Sequence, residues 1–479
     1  MKLPESWHEN WSGLNALVLG LGKSGFSVAD TLIELGVRTA AVGEQASQEL
    51  VDLTELIGCK FYGSTSPSVL DEIGFKPDFA VVSPGFSPSH PLVRELQRLK
   101  IHIMGDIDLA WRLNDKNKKK PKWISITGTN GKTTTSQLTA AILATAGSRA
   151  VACGNIGMPI LDAVRDPVEY DFLVVEISSF QLHYLGEIHP FVSAYLNIAE
   201  DHIDWHGSFE EYARAKAKVY QGTENVIIFN EQDDQTLKAA RAAEVQEGCR
   251  AVSFTLFAPQ VSSVGYVENL LVDRAFLIDR SNQALELCEI EDISRIAAVS
   301  SQLLANCAAA ASIGRAVGVD PVHIRNALSN FKLSPHRNQF VAEIAGVQFV
   351  NDSKATNAHA AKASLEPLES VVWVLGGLLK GVDPEPLIVA NASKIRAAVL
   401  LGLETDELSA LFSKHLPMIP VIVCGKDAPM ADAIDHALTV AQAGDTVLLA
   451  PMAASMDQFL DYSDRGNQFI AEVKRREAR

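Results

Sequence analysis

The sequence predicts an α/β protein of three doubly wound units, each a largely parallel sheet with helices on both faces. Three observations carry that prediction. Short apolar runs of strand type recur along the chain, at residues 14–19, 79–82, 123–126, 172–176, 192–196, 347–350 and 371–375, and helix-compatible stretches separate them. Many of these runs end in turns rich in glycine and small polar residues, where open α/β sheets place their ligands. Two interruptions divide the pattern. One is the polar stretch Asn114-Asp115-Lys116-Asn117-Lys118-Lys119-Lys120-Pro121; the other is Ser334-Pro335, after an alanine-rich helix candidate at about 301–317. The expected domains are therefore 1–113, 114–333 and 334–479.

Composition narrows the class. With 479 residues the chain has ample length for a core in each block. It carries 42 basic against 58 acidic residues, a net charge of −16. That disfavours non-specific binding to nucleic acid or an anionic membrane, so the lysines of 114–121 read as a solvated linker. The six cysteines are scattered with no C-x-x-C pair, as expected of reduced thiols and not of a disulfide scaffold or zinc site. Met1-Lys2-Leu3-Pro4-Glu5 lacks the features of a signal peptide, and no apolar run reaches membrane-spanning length. A cytoplasmic, monomeric enzyme acting on small molecules is the expectation.

The first block opens with a βαβ pattern. A strand at 14–19 leads into Gly20-Leu21-Gly22-Lys23-Ser24-Gly25, a helix candidate runs to Leu35, and a strand at 37–42 ends beside Gly43-Glu44. GxGxxG with an acid about twenty residues on fits a nucleotide-binding unit, while close strand–helix packing alone selects the same glycines. The strand at 79–82 breaks at Ser83-Pro84-Gly85.

The second block holds the densest signal. The run 123–126 is followed by Thr127-Gly128-Thr129-Asn130-Gly131-Lys132-Thr133-Thr134, and then by a helix-compatible stretch to Thr145. Such a turn presents backbone N–H groups and the positive end of a helix to phosphate. Lys132 can reach the outer phosphates and the Thr133 hydroxyl can ligate Mg²⁺. Ile126 stands where the full P-loop pattern has its first glycine, so this is a shortened variant. The strand at 172–176 ends in Glu176, followed by Ile177-Ser178-Ser179-Phe180-Gln181, an acid and two hydroxyls suited to a Mg²⁺-linked role. We place this acid one βα unit beyond the P-loop. Asn197-Ile198-Ala199-Glu200-Asp201-His202-Ile203-Asp204 collects hard ligands after another strand, and Tyr212 to Lys218 reads as helix. Residues 251–287 alternate in short stretches and predict a small antiparallel element.

In the third block, strands are expected at 347–350, 371–375, 397–401, 421–423 and 446–449. Arg337, next to His336 at the block's start, fits either a phosphate contact or an interdomain ion pair. Three strand-end groups form a plausible pocket for a small charged substrate. They are Asn351-Asp352-Ser353-Lys354-Ala355-Thr356-Asn357, Gly376-Gly377-Leu378-Leu379-Lys380-Gly381 and Ala454-Ser455-Met456-Asp457.

In order, GLGKSG, SPG, GTNGKTTT, GNIG, EISSFQL, LNIAEDHID, YARAK, PHR, NDSKATN, LGG and RGNQF cover essentially the whole chain. Together they resemble the Mur ligase family of ATP-dependent, amide-forming enzymes of peptidoglycan precursor synthesis. NDSKATN and SSFQL resemble its D-glutamate-adding branch. The resemblance implies a Rossmann-like N-terminal domain for a UDP-sugar, a central P-loop ATP-binding domain, and a Rossmann-like C-terminal domain that binds the amino acid and closes over ATP. It implies D-glutamate addition to UDP-N-acetylmuramoyl-L-alanine through an acyl phosphate, with release of ADP and phosphate. Lys23, Ser24, Ser83, Pro84 and Gly85 would line the UDP site, and Asn155 and Ser178 would meet the substrate nearer its reacting end. Gly128, Thr129, Asn130, Gly131, Lys132, Thr133 and Thr134 would cradle ATP, with Asn306 at the adenine and Arg337 and Asp352 on the nucleotide. Two Mg²⁺ are implied, one on Thr133 and Glu176 and one on His202, together with a carbamate on Lys216 serving as a metal ligand. Lys354, Thr356, Lys380 and Ser455 would take the D-glutamate carboxylates. The chain departs from the family pattern at Gly43-Glu44, at Asn338-Gln339 after PHR, at Leu378-Leu379 and at Tyr462. The alternative reading is another Mur-type or folylpolyglutamate-type ligase with a different amino acid. An NAD-dependent dehydrogenase would leave Lys132, Thr133, Glu176 and His202 without a task.

Overall fold

The computed structural model describes residues 3–379 and 383–478, which form two compact units. One comprises Met1–Ile290 with Ala305–Leu328, the other Glu291–Leu304 with Ser329–Arg479. No helix of the described residues is long and apolar enough to cross a membrane.

The first unit contains two sheets. The N-terminal one has β1 (Asn15–Leu19), β2 (Arg38–Val42), β3 (Lys60–Tyr62), β4 (Phe79–Val82) and β5 (His102–Gly105), in the order β3-β2-β1-β4-β5, all parallel. The order reverses direction at β1, so the turns after β1 and β4 open side by side, the usual place for a ligand. The second sheet has β6 (Lys122–Thr127), β7 (Ala150–Gly154), β8 (Phe172–Glu176), β9 (Val192–Tyr195), β10 (Val226–Asn230), β11 (Arg250–Phe254), β12 (Ser263–Val267), β13 (Leu270–Asp273) and β14 (Leu285–Glu289). Its order is β14-β13-β12-β11-β10-β9-β6-β8-β7.

One feature of this sheet bears out the sequence reading and one differs from it. The pattern at 251–287 does give an antiparallel element, β12-β13-β14, but it continues the main sheet, with β11 parallel to β12. Glu176 does not follow the P-loop by one βα unit. β7 intervenes in the chain, and β8 instead lies directly beside β6 in the sheet. A run of Ala, Val, Cys and Gly has weak strand character, and pairing with β8 is what makes β7 a strand.

The second unit contains β15 (Gln339–Ile344), β16 (Val347–Asn351), β17 (Val371–Gly376), β18 (Ile395–Leu401), β19 (Val421–Val423) and β20 (Thr446–Leu449). The order is β15-β16-β20-β17-β18-β19, with only β15 antiparallel. β17, fully buried along its length, and its neighbours β18 and β20 place their carboxyl-end turns together.

Within the first unit the two sheets are tied by side chains. On the helix Ile160–Arg165, Arg165 donates to Thr31 and pairs with Asp30 and Glu34 at 2.6 and 2.9 Å. Ser27 donates to Asp162 at 2.5 Å. The helix Lys23–Glu34, which begins at the GLGKSG turn, is thereby fixed against the helix that follows Asn155.

Candidate active site

The loop after β6 turns into the helix Lys132–Thr145 through Gly131, whose φ of 81° favours glycine. The turn after β9 holds this loop from outside. Thr129 N–H donates to Asn197 O, Asn130 N–H donates to Asn197 Oδ1, and Asn197 Nδ2 returns a bond to Asn130 O, at 2.9, 2.9 and 3.1 Å. Lys132 Nζ folds back onto the carbonyls of Gly128 and Thr129 at 2.8 and 2.9 Å.

At the end of β8, Glu176 is buried and its carboxylate spans two partners. Thr133 Oγ1 donates to Oε2 at 2.8 Å and Asn155 Nδ2 to Oε1 at 2.9 Å. β8 pairs with β6 and β7, so the phosphate loop, the acid and the Asn155 turn emerge from three adjacent strands. Ser178 caps the helix Ser179–His183 with a reciprocal box to Gln181.

Lys216 lies on the helix Phe209–Ala217 and is only 1% exposed. Its Nζ donates to Gly128 O at 2.8 Å. Burial, with the charge of Lys132 nearby, pushes its pKa well below that of an ordinary lysine, against the weaker opposing pull of Asp201 and Glu176. One turn earlier on that helix, the Tyr212 hydroxyl bonds Thr129 Oγ1 at 2.9 Å. His202 adopts a left-handed φ of 55° and lies tilted against Phe180, with ring centroids 4.7 Å apart. Its ring centroid is 6.4 Å from that of Tyr212. The first unit therefore gathers Gly128–Thr134, Asn155, Glu176, Ser178, His202 and Lys216 around one loop. Among the described residues no three His, Cys, Asp or Glu side chains converge as a ready metal site. The donors offered are a hydroxyl and a carboxylate, hard oxygen ligands that suit Mg²⁺ when phosphate oxygens complete the set, with the borderline imidazole of His202 beside them.

At the N-terminal sheet, Gly20 takes φ 94° and Gly25 packs so closely that a Cβ there would lie 1.9 Å from Gly20 O. Gly22 faces open space, and Lys23 and Ser24 begin the helix beside it. Ser83 Oγ donates to Gly20 O at 3.2 Å, which joins the Ser83-Pro84-Gly85 turn to the glycine turn. Glu44 accepts a hydrogen bond from Thr65.

In the second unit, Asp352 is buried and accepts from Ser364. Burial raises its pKa, while Ser364, Arg337 and the Asn338 N–H hold it down. His336 and Asn338 both have positive φ, 65° and 42°. The His336 ring packs where a side chain on Gly466 would stand, and its Nδ1 is 2.9 Å from Asn351 Nδ2. Arg337 lines a cavity of about 400 Å³ with Ser364, Phe331, Phe340 and Leu448. Lys354 Nζ sits 3.6 Å from the centroid of the Tyr462 ring. Thr356 is exposed and Ser455 buried. Lys380 lies outside the described residues. Asn306 is buried on the helix Ser301–Ala316, within the first unit.

Sequence reasoning missed several participants. Asp233 Oδ2 accepts from Ile198 N–H and so shapes the turn before His202. His183, Trp205 and His206 join Phe180 in an aromatic cluster beside His202. Asp106 reaches Gln181 from the other sheet. Asp233 and Asp106 stand far in sequence from the residues they meet, which leaves no local signal for them, whereas His183, Trp205 and His206 lie within four residues of Phe180 or His202. A crevice of about 630 Å³ lined by Trp111, Lys122, Trp123, His189 and Glu224 sits at the opposite, amino-terminal edge of the nine-stranded sheet.

A phosphate-binding loop joined to a buried acid in a doubly wound scaffold defines a nucleotide-using enzyme of α/β class. Residues 126–311 match the Mur ligase middle domain and residues 336–452 the Mur ligase, glutamate ligase domain. The UDP-N-acetylmuramoylalanine–D-glutamate ligase of Leifsonia xyli subsp. xyli is 47% identical, with 98% of this chain and 94% of the relative covered. The enzyme of that name from Streptomyces coelicolor is 42% identical over 97% and 98%. Among solved structures, the UDP-N-acetylmuramate-alanine ligase MurC of Thermotoga maritima has the same fold, at TM-score 0.58 and 14% identity over 96% of this chain and 99% of that one. The MurF ligase of Thermotoga maritima in complex with ADP gives 0.57 at 17% identity over 96% and 98%. The chain belongs to the Mur ligase family.

Proposed function

We infer that this chain is an ATP-dependent ligase that joins D-glutamate to UDP-N-acetylmuramoyl-L-alanine in peptidoglycan precursor synthesis. The observation that carries the reading is the Thr133–Glu176–Asn155 bridge beside buried Lys216, at a P-loop variant. The names of the full-length relatives support the choice of substrates.

In this reading residues 1–113 bind the UDP group, 114–333 the ATP, and 334–479 the amino acid. The substrate's terminal carboxylate attacks the γ-phosphorus, the bond to the β-phosphate oxygen breaks, and an acyl phosphate and ADP form. Lys132 leaves the Gly128 and Thr129 carbonyls for the phosphates and reduces repulsion between the two anions. Gly128, Thr129, Asn130, Gly131 and Thr134 form the loop around them, with Thr129 and Asn130 held in place through Asn197, while Arg337 and Asp352 contact the nucleotide and Asn306 the adenine. Thr133 and Glu176, and at a second position His202, would hold Mg²⁺, which would supply charge neutralisation at the transferring group. The neutral amine of Lys216 can add to CO₂ and lose a proton, and the resulting carbamate would serve as a further ligand for the metal. Asn155 and Ser178 orient the acyl end. Lys354, Thr356, Lys380 and Ser455 hold D-glutamate while its amine attacks the acyl carbon and phosphate departs. The chain acts as a monomer in the cytoplasm.

The test is phosphate release from ATP with UDP-N-acetylmuramoyl-L-alanine across a panel of amino acids. D-glutamate should be the acceptor that supports turnover. Turnover with an L-amino acid and none with D-glutamate would overturn the assignment.

A further inference from the structure

Asp106 is the first residue of the helix Asp106–Arg112, at the end of β5. It is 3% exposed, yet among the described residues its carboxylate pairs with no cation. Both of its oxygens accept from Gln181 Nε2, at 3.1 Å each, and Oδ1 also accepts from Ile107 N–H at 3.0 Å. Helix-dipole stabilisation accounts for an acid in a first turn, and an exposed one would serve. It does not account for burying a carboxylate against a side chain from the other sheet's helix, which costs free energy.

Gln181 turns this contact into a relay. Its Oε1 accepts from Ser178 N–H and Ser178 Oγ, at 3.0 and 3.1 Å, while its own N–H donates to Ser178 Oγ at 3.2 Å. The acceptor-only carboxylate of Asp106 and the Ser178 N–H both demand this orientation of the amide. The Ser178 proton is thereby spent on Gln181, and a lone pair of Oγ is left for the site. The same short helix is tied to the N-terminal sheet at its other end. Tyr184 Oη donates to Phe86 O, next to the Ser83-Pro84-Gly85 turn, at 3.1 Å.

We propose that Asp106 is a positioning residue that acts through Gln181 to hold Ser178 as a hydrogen-bond acceptor for an amide N–H of the acylated sugar substrate. This rests on the substrate reading above and adds to it a residue distant from the reacting atoms.

The experiment measures KM for UDP-N-acetylmuramoyl-L-alanine and for ATP in wild type, Asp106→Ala, Asp106→Asn, Ser178→Ala and Asp106→Ala/Ser178→Ala. Each Ala variant should raise KM for the sugar substrate about tenfold, with KM for ATP within about twofold. The double variant should be no worse than the poorer single one, because the two residues act in series. Asn can present its oxygen to Gln181, so that variant should stay within about threefold of wild type. Additive losses, a parallel rise in both KM values, or an Asn variant as poor as Ala would overturn the proposal. If Asp106→Ala does not fold, Gln181→Met breaks the relay at its next member and must show the same split. An inert wild type would overturn the substrate reading itself, whereas an active wild type with unaffected variants would remove only Asp106.

Discussion

Lys132 Nζ and Lys216 Nζ donate to the same atom, the carbonyl oxygen of Gly128, each at 2.8 Å. Two ammonium groups on one acceptor repel each other, and Lys216 is the one denied solvent. Its depressed pKa favours the free amine, the form that attacks CO₂. A carbamate would replace that repulsion with attraction and put a carboxylate-like group at the phosphate loop.

Lys216→Ala should accordingly lower kcat roughly a hundredfold, the scale of removing one preorganised charged group from a transfer site. Short carboxylic acids added to the assay should restore part of it by standing in for the carbamate. A variant with wild-type turnover, or one indifferent to added acids, would contradict the role.

The two glycines of the first turn separate packing from binding. A methyl on Gly25 would overlap Gly20 O, so Gly25→Ala should destabilise the fold by about 2 kcal/mol as helix and strand are forced apart. Gly22 has nothing within 4 Å and an ordinary φ of −98°, so Gly22→Ala should fold like wild type. If a diphosphate approaches this backbone, the Gly22 variant should still raise KM for the UDP substrate about tenfold and leave KM for ATP unchanged. Thermal melts with the two KM values check both halves.

The contrast between these glycines marks how far the sequence could be read. Strands such as Phe79–Val82 and Phe172–Glu176 stood out because buried parallel strands are continuous apolar runs closed by turns. β15 did not, since Gln339–Ile344 is a half-exposed edge strand whose partner is set by pairing with β16. Glu176 was legible because it closes an apolar strand, and Lys132 and Thr133 because they open a helix directly after a glycine turn. The Asp106–Gln181 contact was not, because it joins residues of two different sheets through side-chain geometry alone. The same holds for Asp233 behind the His202 turn.

Arg465 offers a stability test in the second unit. It is 1% exposed, and its guanidinium donates to Ser353 Oγ and to the carbonyls of Ser353 and Ala453, at 3.0 to 3.2 Å. It thus joins the turn carrying Lys354 to the turn carrying Ser455. Arg465→Ala orphans buried acceptors and should cost about 3 kcal/mol. Lysine should rescue little, having no planar fork to reach both turns. Hydrogen exchange in the helix Tyr462–Glu477 reads the loss locally. Exchange unchanged from wild type would refute the bracing role.

The buried acid at Asp106 makes a prediction about pH. Burial raises its pKa, outweighing the opposing bonds from Gln181 and Ile107. Between the ordinary aspartate value and the raised one, the folded chain binds the proton more tightly than the unfolded chain does. Its contribution to stability is therefore fully present below the unfolded pKa and is lost as pH rises through the folded one. Asp106→Asn cannot titrate and keeps an oxygen for Gln181. The stability of the Asn variant relative to wild type should thus increase with pH from about 4 upward and level off once the wild-type carboxyl is fully ionised. Paired urea unfolding curves across that range measure the difference and cancel the many carboxylates common to both chains. A difference that stays flat, or that moves in favour of wild type as pH rises, would mean that Asp106 is not held in the protonation-favouring environment its burial creates.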